Sequence, residues 1–332
     1  MPDYDFIVVG AGSAGSALAN RLSKNPNKRV LLLEAGGADS HPWVRIPMGY
    51  GKVFYDQRVN WKYTTEPNKT LDGNRIYWPR GKVMGGSSSI NAMVYVRGHP
   101  QDYDHWAKDA PGWSWTDVAP VFKQMENWLG APSPDRGNDG PLSVRDIADD
   151  AHPLCTNYLK AAEQAGFAFN PDYNSGQMEG AALYQITTKD GLRASAARAY
   201  ITPVQHRSNL TLALQAHVQR LCFEGRKVTG VRYLQKGQLK TAHARAEVIL
   251  CGGAINSPQL LQLSGIGPGA LLQGHDIPVV QDMAQVGRNL KDHLGADVHY
   301  RSKVPTLNQV LRPLSGKIRV ALQYLFNRSG PL

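Results

Sequence analysis

The sequence predicts an α/β protein with α+β elements, in which a βαβ sheet carries an inserted antiparallel β-meander. Near the N terminus, two short apolar strands enclose a glycine-rich turn and a helix; between residues 220 and 248, apolar runs alternate with glycine-containing turns. A length of 332 residues, at roughly 150 residues per domain, leaves room for about two domains.

The composition excludes several classes of protein. Hydrophobic residues make up 42% and charged residues 19% of the chain, which is typical of globular proteins and not of disordered or fibrous ones. No run of about eighteen apolar residues occurs, and residues 1–5 carry acids where a secretory signal would carry basic residues. The 3 cysteines lack C-x-x-C spacing, so we expect neither a disulfide framework nor a metal site. These features predict a cytoplasmic protein.

Positive charge is concentrated at the C-terminal end. The formal net charge is +10, and six basic residues with no acid follow residue 300, so the first 300 residues carry only about +4. No nucleic-acid-binding module accompanies this charge, so we expect no nucleic-acid partner. Two interpretations stay open: a surface without its acidic complement, or peripheral attraction to an anionic membrane at its inner face.

The first glycine-rich run lies in the context of a dinucleotide-binding unit. Tyr4–Val9 predicts a strand, the run Gly10-Ala-Gly-Ser-Ala-Gly15 follows, a helix continues to Leu22, and the strand Val30–Leu33 comes next. In such a unit the first glycine permits a tight turn, the second lets backbone N–H groups approach a pyrophosphate, and the third allows close helix packing. The run therefore predicts dinucleotide binding.

Glu34 directly follows the second strand of this unit. A carboxylate there can accept hydrogen bonds from the adenosine ribose and disfavours a 2′-phosphate. It does not distinguish FAD from NAD.

Two further glycine-rich runs indicate contact with a large ligand. The second, residues 81–94, is too long for an ordinary turn and passes into an apolar segment; a structural loop at a strand edge is the alternative. The third, residues 252–267, follows the apolar strand 247–251 and predicts a turn, a short helix and a glycine stop.

Together, the three runs resemble the signature patterns of the glucose–methanol–choline (GMC) flavoprotein oxidoreductases. Within that family, the chain looks most similar to the bacterial FAD-dependent alcohol and choline dehydrogenases. The likeness covers essentially the whole chain and extends to four further segments: Trp78-Pro-Arg-Gly81, Tyr95-Val-Arg-Gly98, Asp102-Tyr-Asp-His-Trp106 and Val286-Gly-Arg-Asn-Leu-Lys-Asp-His293.

The resemblance implies a Rossmann-like FAD-binding domain and a set of FAD contacts. The adenine half would be held by Gly10, Gly12, Gly15, Glu34 and Val218. The flavin half would contact Val83, Gly86, Asn91, Ala92, Met93 and Val94, and the turn Gly252, Gly253 and Ala254 would close on the nucleotide. Ser13, Ala35, Arg80, Gly81, Ser87 and Ser257 complete the expected contacts.

The mode of FAD attachment is predicted by one departure from the family pattern. Some members bind FAD covalently through a histidine immediately before the motif asparagine. Ile90 stands there in this chain and offers no nucleophile, so we expect non-covalent FAD.

The resemblance also implies the domain organisation. Residues 1–150 and 190–297, with a meander from 220 to 248, would form a discontinuous FAD-binding domain. Residues 151–189 and 298–332 would form a partial substrate-binding domain whose C-terminal catalytic part is missing, with linkers at 131–134 and 137–141. A helix over 317–326 places Ile318, Ala321, Leu322 and Leu325 on one stripe, which predicts a packed helix or, alternatively, a membrane-surface helix.

The implied reaction is oxidation of a primary alcohol, aliphatic or choline-like, to the aldehyde. The hydride would pass to flavin N5 and the hydroxyl proton to a base, with a quinone or oxygen as the final electron acceptor. In the family the base is a histidine on a C-terminal segment that no residue here matches, so we nominate no catalytic residue. Two alternatives stay open: a flavin-binding fragment or protein without catalysis, and an NAD-dependent dehydrogenase, which would explain only the first run.

Overall fold

The computed structural model describes residues 4–293, 295 and 297–330. Residues 1–3 belong to the N-terminal segment in which the sequence showed no secretory signal, and they lie outside the described residues. The last two residues of the predicted substrate domain lie outside them as well.

Strands are numbered in chain order. They are β1 (Tyr4–Val9), β2 (Val30–Leu33), β3 (Tyr63–Thr64), β4 (Tyr77–Trp78), β5 (Glu126–Trp128), β6 (Leu142–Val144), β7 (Thr188–Lys189), β8 (Leu192–Arg193), β9 (Leu210–Ala213), β10 (Ala216–Glu224), β11 (Lys227–Gln235), β12 (Gln238–Leu250), β13 (Ile266–Gly267) and β14 (Gln281–Asp282).

Helices are numbered in the same way. They are α1 (Ser13–Leu22), α2 (Pro42–Arg45), α3 (Tyr50–Val53), α4 (Pro100–Trp106), α5 (Trp115–Met125), α6 (Pro153–Gln164), α7 (Gly253–Leu263), α8 (Gly269–Gln273), α9 (Leu307–Leu311) and α10 (Leu314–Asn327). Short 3₁₀ turns include Gly86–Ser89, and Ala197–Ile201 forms a π-helical turn.

A six-stranded sheet organises the first part of the molecule in the order β10-β11-β12-β1-β2-β9. Strands β12, β1, β2 and β9 run parallel, whereas β10, β11 and β12 pair antiparallel. The predicted α/β class with an inserted meander is therefore confirmed.

The alternation of side chains along β1 and β2 builds two cores, one on each face of the sheet. Ile7 and Leu31 belong to one cluster, and the next residues along the strands, Val8 and Leu32, belong to the other. All four side chains are at most 2% exposed. Burying such a side chain contributes about 1.5–3 kcal/mol, so these short strands are fixed by packing on both faces.

Strand β12 differs from the sequence-based expectation. The pattern predicted a third meander strand from residue 239 and a separate apolar strand at 247–251. The structure contains one strand of 13 residues, Gln238–Leu250. Its beginning pairs antiparallel with β11 and its end pairs parallel with β1, so it joins the meander directly to the βαβ sheet.

Contacts within the described residues divide the chain into two compact units. The first unit comprises residues 4–44, 51–90 and 195–297, and the second comprises 45–50, 91–194 and 298–330. The sequence-based division differs over residues 45–50, 91–150 and 190–194, which it placed with the first domain. The predicted linkers at 131–134 and 137–141 lie inside the second unit. That these units serve as FAD-binding and substrate-binding domains stays a prediction.

A buried carboxylate organises the interior of the second unit. Glu126 is 0% exposed, and its Oε2 accepts hydrogen bonds from Arg97 Nη2 at 2.7 Å and Arg136 Nε at 3.0 Å. Arg136 Nη2 also donates to Glu126 Oε1 at 2.6 Å, and Arg136 Nη1 reaches Asp172 Oδ1 at 2.8 Å. The individual ion pairs join residues up to 36 positions apart, and the connected network spans 75 positions, from Arg97 to Asp172.

Helix α10 presents a different face from the one its sequence predicted as packed. Val320 and Tyr324 are buried, and the Tyr324 hydroxyl donates to Gly191 O at 2.8 Å. Ile318 and Leu325, members of the predicted stripe, are 51% and 64% exposed. None of the helices in the described part of the chain is both long and apolar enough to cross a lipid bilayer.

Candidate dinucleotide site

A cavity of about 600 Å³ lies in the first unit, where the parallel strands β1, β2 and β12 end. The carboxyl ends of parallel strands are the usual place for ligands in α/β sheets. Its lining includes fourteen predicted contacts: Gly10, Gly12, Ser13, Glu34, Ala35, Arg80, Gly81, Gly86, Ser87, Val218, Gly252, Gly253, Ala254 and Ser257. The three glycine-rich runs thus contribute to one cavity.

Gly10 and Gly15 have the backbone geometry that their spacing predicts. Gly10 has a φ of +102°, and a Cβ there would lie 2.5 Å from the carbonyl oxygen of Cys251. A Cβ on Gly15 would lie 1.8 Å from Gly10 O, which explains why Gly15 packs in the turn and does not line the cavity. A Cβ on Gly12 would meet no atom closer than 3.9 Å, so this glycine leaves room at the cavity wall.

The N terminus of α1 offers a site for an anion. Ser13 and Ala14 of its first turn line the cavity, and this turn contains no acidic residue. The first N–H groups of a helix have no partner within the helix and carry a positive partial charge. Arg80, which also lines the cavity, adds a full positive charge, so this end suits a pyrophosphate.

Glu34 is only 5% exposed, and backbone amides hold its carboxylate. Ala11 N donates to Oε2 at 2.9 Å, and Gly36 N donates to Oε1 at 2.8 Å. Burial raises the pKa of Glu34, while these two hydrogen bonds and the charge of Lys82 oppose the rise. The oxygens keep further lone pairs that can accept from the hydroxyls of a ribose.

The second glycine-rich run meets the first at the cavity wall. Gly86 has a φ of +55°, and a Cβ there would lie 2.7 Å from Gly12 Cα. Ser87 Oγ accepts a hydrogen bond from Gly81 N at 3.1 Å. Val83 does not line the cavity; it is completely buried in an apolar cluster with Ile90.

The predicted flavin contacts Asn91, Ala92, Met93 and Val94 belong to the second unit. Asn91 Oδ1 accepts from Met93 N at 3.1 Å and from Arg193 Nη1 at 2.9 Å. Met93 has a φ of +64°, which is unusual for a residue with a side chain. Their contact with a flavin stays a prediction.

The sequence reasoning missed several lining residues, among them Trp61, His217 and Asn256. His217 and Asn256 could have been found from the sequence, because His217 directly precedes the predicted contact Val218 and Asn256 lies within the third glycine-rich run. Trp61 had none, since it reaches the cavity only through pairing with a segment about twenty residues away.

The residues around the cavity fit an adenine dinucleotide. Gly12 and Gly253 leave open space, a helix N terminus without a nearby acid can accept the pyrophosphate, and a buried carboxylate is available for a ribose. These features are shared by sites for FAD and for NAD.

Comparison with known proteins identifies the family to which these features correspond. A family model described as GMC oxidoreductase matches residues 4–295. The chain is 46% identical over 297 residues to an alcohol dehydrogenase [acceptor] from Pseudomonas putida, which covers 88% of this chain and 53% of that protein. It is 44% identical to the mitochondrial choline dehydrogenase of Mus musculus, with 99% of this chain and 56% of that protein covered.

Solved structures agree with this match. Pyridoxine 4-oxidase from Mesorbium loti superimposes with a TM-score of 0.82 at 35% identity, covering 85% of this chain and 56% of the oxidase. A variant of formate oxidase from Aspergillus oryzae RIB40 gives a TM-score of 0.88 at 28% identity, covering 99% and 59%. The chain therefore spans a little over half the length of the relatives it matches.

Proposed function

The chain belongs to the GMC oxidoreductase family, whose members bind FAD, and on that premise we propose that its first unit holds FAD in the cavity described above. The observation that carries this proposal is the convergence of all three glycine-rich runs on one cavity. An NAD site would account for the first run alone. The predicted contact residues become proposed FAD contacts.

Each part of the cavity has a proposed task. The α1 N terminus and Arg80 bind the pyrophosphate, and Glu34 accepts hydrogen bonds from the adenosine ribose. Gly12 lets the backbone approach the cofactor, since a side chain there would occupy its space, and Gly86 lets the second run lie against Gly12. Asn91 to Val94 would contact the flavin.

We further propose that the chain is the cofactor-binding portion of an alcohol-oxidising flavoenzyme. Its substrate would be a primary alcohol, aliphatic or choline-like, because relatives at 46% and 44% identity are named alcohol and choline dehydrogenases. FAD, when bound, supplies the acceptor for the substrate hydride at N5. This chain's own residues bind and orient the cofactor and exclude water from it, and we assign none of them as the catalytic base.

The proposed FAD is dissociable. Ile90, at the position where a histidine carries the covalent bond in some relatives, is 2% exposed within an apolar cluster. Acid precipitation of the FAD-loaded protein should leave the yellow cofactor in the supernatant. Colour retained in the pellet would contradict this proposal.

Electron acceptor and location are proposals as well. A quinone or oxygen would reoxidise the flavin, as the names of relatives include an acceptor-dependent and an oxygen-dependent dehydrogenase. A cytoplasmic location with peripheral membrane contact at the inner face is compatible with quinone as the acceptor.

Titration of the purified chain with FAD tests the function directly. We expect saturable binding with a change in the visible flavin spectrum, and a lower Kd for FAD than for NAD, because only FAD carries the flavin that the second glycine-rich run would contact. Equal or tighter binding of NAD would favour the NAD-dependent alternative. Anaerobic addition of short alcohols and choline to the FAD-loaded chain then tests catalysis, because bleaching requires a base that we have not assigned. Binding without bleaching supports a cofactor-binding fragment.

A further inference from the structure

A second cavity lies in the second unit, at the C-terminal end of α4. Its volume is about 360 Å³, within the range of roughly 300–1,000 Å³ that is typical of small-ligand pockets. It is lined by His105, Trp106, Asp109, Ala110 and Trp113, all of which belong to the second unit. None of these residues is a proposed FAD contact, so this cavity is separate from the proposed cofactor site.

Two tryptophans form adjacent walls of this cavity. The rings of Trp106 and Trp113 have centroids 6.3 Å apart and meet at an angle of 68°. Trp106 is 55% exposed and Trp113 is 52% exposed. Tryptophan is usually buried over most of its surface, so two half-exposed indoles in one cavity indicate a binding surface.

The inner side of this aromatic corner is fixed by packing. The Tyr103 ring meets Trp106 edge to face, with centroids 5.6 Å apart at 72°. Tyr103 also packs against Trp115 and Phe122, and its hydroxyl donates to Arg97 O. A wall that is already in place loses little conformational entropy when it binds a ligand.

The surroundings of the cavity favour a cation. Asp109 lines the cavity, and its backbone N donates to Trp106 O at 3.1 Å, which keeps the carboxylate beside the tryptophans in sequence and in space. Residues 99–117 contain four aspartates and one lysine, a net charge of −3, in a chain whose net charge is +10. This part of the chain therefore attracts positive ligands and repels anions.

The chemistry of the walls narrows the kind of cation. The face of an indole carries negative partial charge and attracts a positive group. A primary ammonium is compact and strongly hydrated, and metal ions need several oxygen, nitrogen or sulfur ligands, whereas this cavity offers mainly ring surfaces and one carboxylate. A quaternary ammonium spreads its charge over apolar methyl groups, so it can contact both indoles and lose little hydration.

We infer that this cavity binds a small quaternary ammonium cation. Trp106 and Trp113 contact its methyl groups, and Asp109 supplies the opposite charge. No bond is made or broken at this site. The inference goes beyond the proposed function and does not depend on FAD.

Proton NMR of tetramethylammonium mixed with the full chain tests the inference. This ion has no hydroxyl, so it cannot be an alcohol substrate, and its methyl protons give a single signal. The face of an indole shifts protons that lie against it to higher field, so we expect a saturable upfield shift of this signal. The shift should be the same with and without FAD, because no lining residue is a proposed FAD contact.

Choline and 3,3-dimethyl-1-butanol provide a matched pair of ligands. The two molecules have the same shape, but only choline is charged. Choline should therefore bind with a Kd about tenfold lower, as attraction of a cation to two indoles and a carboxylate predicts. Equal Kd values would show that the cavity is a simple apolar pocket and would overturn the inference.

Substitutions of Trp113 test the contribution of one wall. W113A should raise the Kd for tetramethylammonium about fivefold and reduce the upfield shift, whereas W113F, which keeps an aromatic face, should raise the Kd about twofold. W43A is the control, since Trp43 is also partly exposed, at 40%, but belongs to the first unit. Its Kd and shift should equal those of the wild type.

Substitution of Asp109 tests the contribution of charge. D109N keeps the shape of the side chain and removes its charge, so it should raise the Kd for tetramethylammonium about threefold. D102N is the matched control, because Asp102 lies in the first turn of α4 and does not line the cavity. Its Kd should stay within about 1.5-fold of the wild type, and an equal effect of both variants would contradict a direct role of Asp109.

Folding of each variant is checked by circular dichroism. If W113A does not fold, W113F and D109N carry the test. A wild-type chain that gives no upfield shift, or a folded W113A with wild-type Kd and shift, would overturn the inference. A chain that binds tetramethylammonium but not FAD would overturn the proposed function and leave this inference intact.

Discussion

The two units stabilise their interiors in different ways. Around the cavity of the first unit, glycines bring backbone segments into contact: Gly15 approaches Gly10 O, and Gly86 approaches Gly12. In the second unit, the carboxylate of Glu126 holds the guanidinium groups of Arg97 and Arg136 away from water. The first arrangement depends on the absence of side chains and the second on their charge. The two units should therefore respond to different substitutions.

The largest effect is expected at the ion pairs of the second unit. E126Q removes the negative charge, which leaves buried Arg97 without its ion-pair partner and buried Arg136 with Asp172 alone. This change should lower the free energy of unfolding by about 3–5 kcal/mol. Urea denaturation measures this change. D150N is the control: it removes the partly exposed ion pair with Arg145, at side-chain exposures of 30% and 41%, and should cost less than about 1 kcal/mol.

E126Q also tests whether the two units are separable. All residues that line the cavity belong to the first unit, so the Kd of natively folded E126Q for ADP, which lacks the flavin that Asn91 to Val94 would contact, should match the wild type. A large loss of affinity under conditions where the variant is folded would show that binding in the first unit depends on the ion pairs of the second.

The next effect is expected at Gly15. A Cβ 1.8 Å from Gly10 O cannot be accommodated without moving the turn, so G15A should destabilise the chain by about 3 kcal/mol and abolish FAD binding. G12A is its matched partner, because the added Cβ meets nothing closer than 3.9 Å. G12A should melt like the wild type yet bind FAD more weakly, since the methyl group occupies the cavity wall. Equal melting temperatures for both variants would contradict the assigned packing.

A smaller effect is expected at Glu34. E34Q keeps the shape but places an N–H₂ group against one of the two backbone amides and removes the charge, so the Kd for FAD should rise about tenfold. Isothermal titration calorimetry measures it. For 2′-deoxy-ADP, E34Q should raise the Kd by a smaller factor than for ADP, because this analogue lacks one of the hydroxyls that Glu34 would bind.

The pH dependence at Glu34 has a definite sign. Because burial raises its pKa, the free protein binds a proton here at higher pH than the unfolded chain does. Its contribution to stability therefore decreases as the pH rises from the unfolded pKa through the raised one. FAD affinity should instead fall as the pH decreases through the raised pKa, since the protonated carboxyl accepts poorly. E34Q should lack this dependence.

The smallest effect is expected at an exposed ion pair of the first unit. The hydrogen bond from Arg58, opposed by partial burial, lowers the pKa of Asp56 to about 2. A lowered carboxyl pKa stabilises the fold above the unfolded pKa of about 3.8, and this contribution disappears as the pH falls toward about 2. D56N should thus lower the urea midpoint slightly at pH 7 and match the wild type near pH 2. Arg58 is 69% exposed, so salt should weaken the difference.

Much of the first unit could be predicted because its signals are local. Strands β1 and β2 have the predicted bounds, since each is a short apolar run that ends at a glycine or a glutamate of the nucleotide motif. The cavity glycines were found for the same reason: their φ values and close approaches require glycine at fixed spacing. Trp61 was missed because its place depends on a hydrogen bond from its backbone N to Arg80 O, 19 residues further along the chain.

The second unit could not be predicted to the same extent because its contacts are distant in sequence. The sequence placed residues 91–150 in the FAD-binding domain, whereas Arg97 lies in the second unit. Its side chain binds Glu126, and its backbone N donates to Asn174 Oδ1 at 2.8 Å. No spacing rule marks such partners. Helix α10 carries two apolar rows, and periodicity alone did not decide that Val320 and Tyr324, instead of Ile318 and Leu325, would be packed.

The pairing of β1 with β12 has a consequence for biosynthesis. Val8 in β1 pairs with Ile249 in β12, so this pairing can form only after the roughly 240 residues between the two strands have been synthesised. At roughly 5–20 residues per second, the apolar strand β1 waits about 10 to 50 s on the ribosome for its neighbour. Such long-range parallel pairing is slow, and an exposed apolar strand is prone to aggregate during the delay. Yield of the folded chain should therefore depend strongly on chaperones that cover nascent apolar segments.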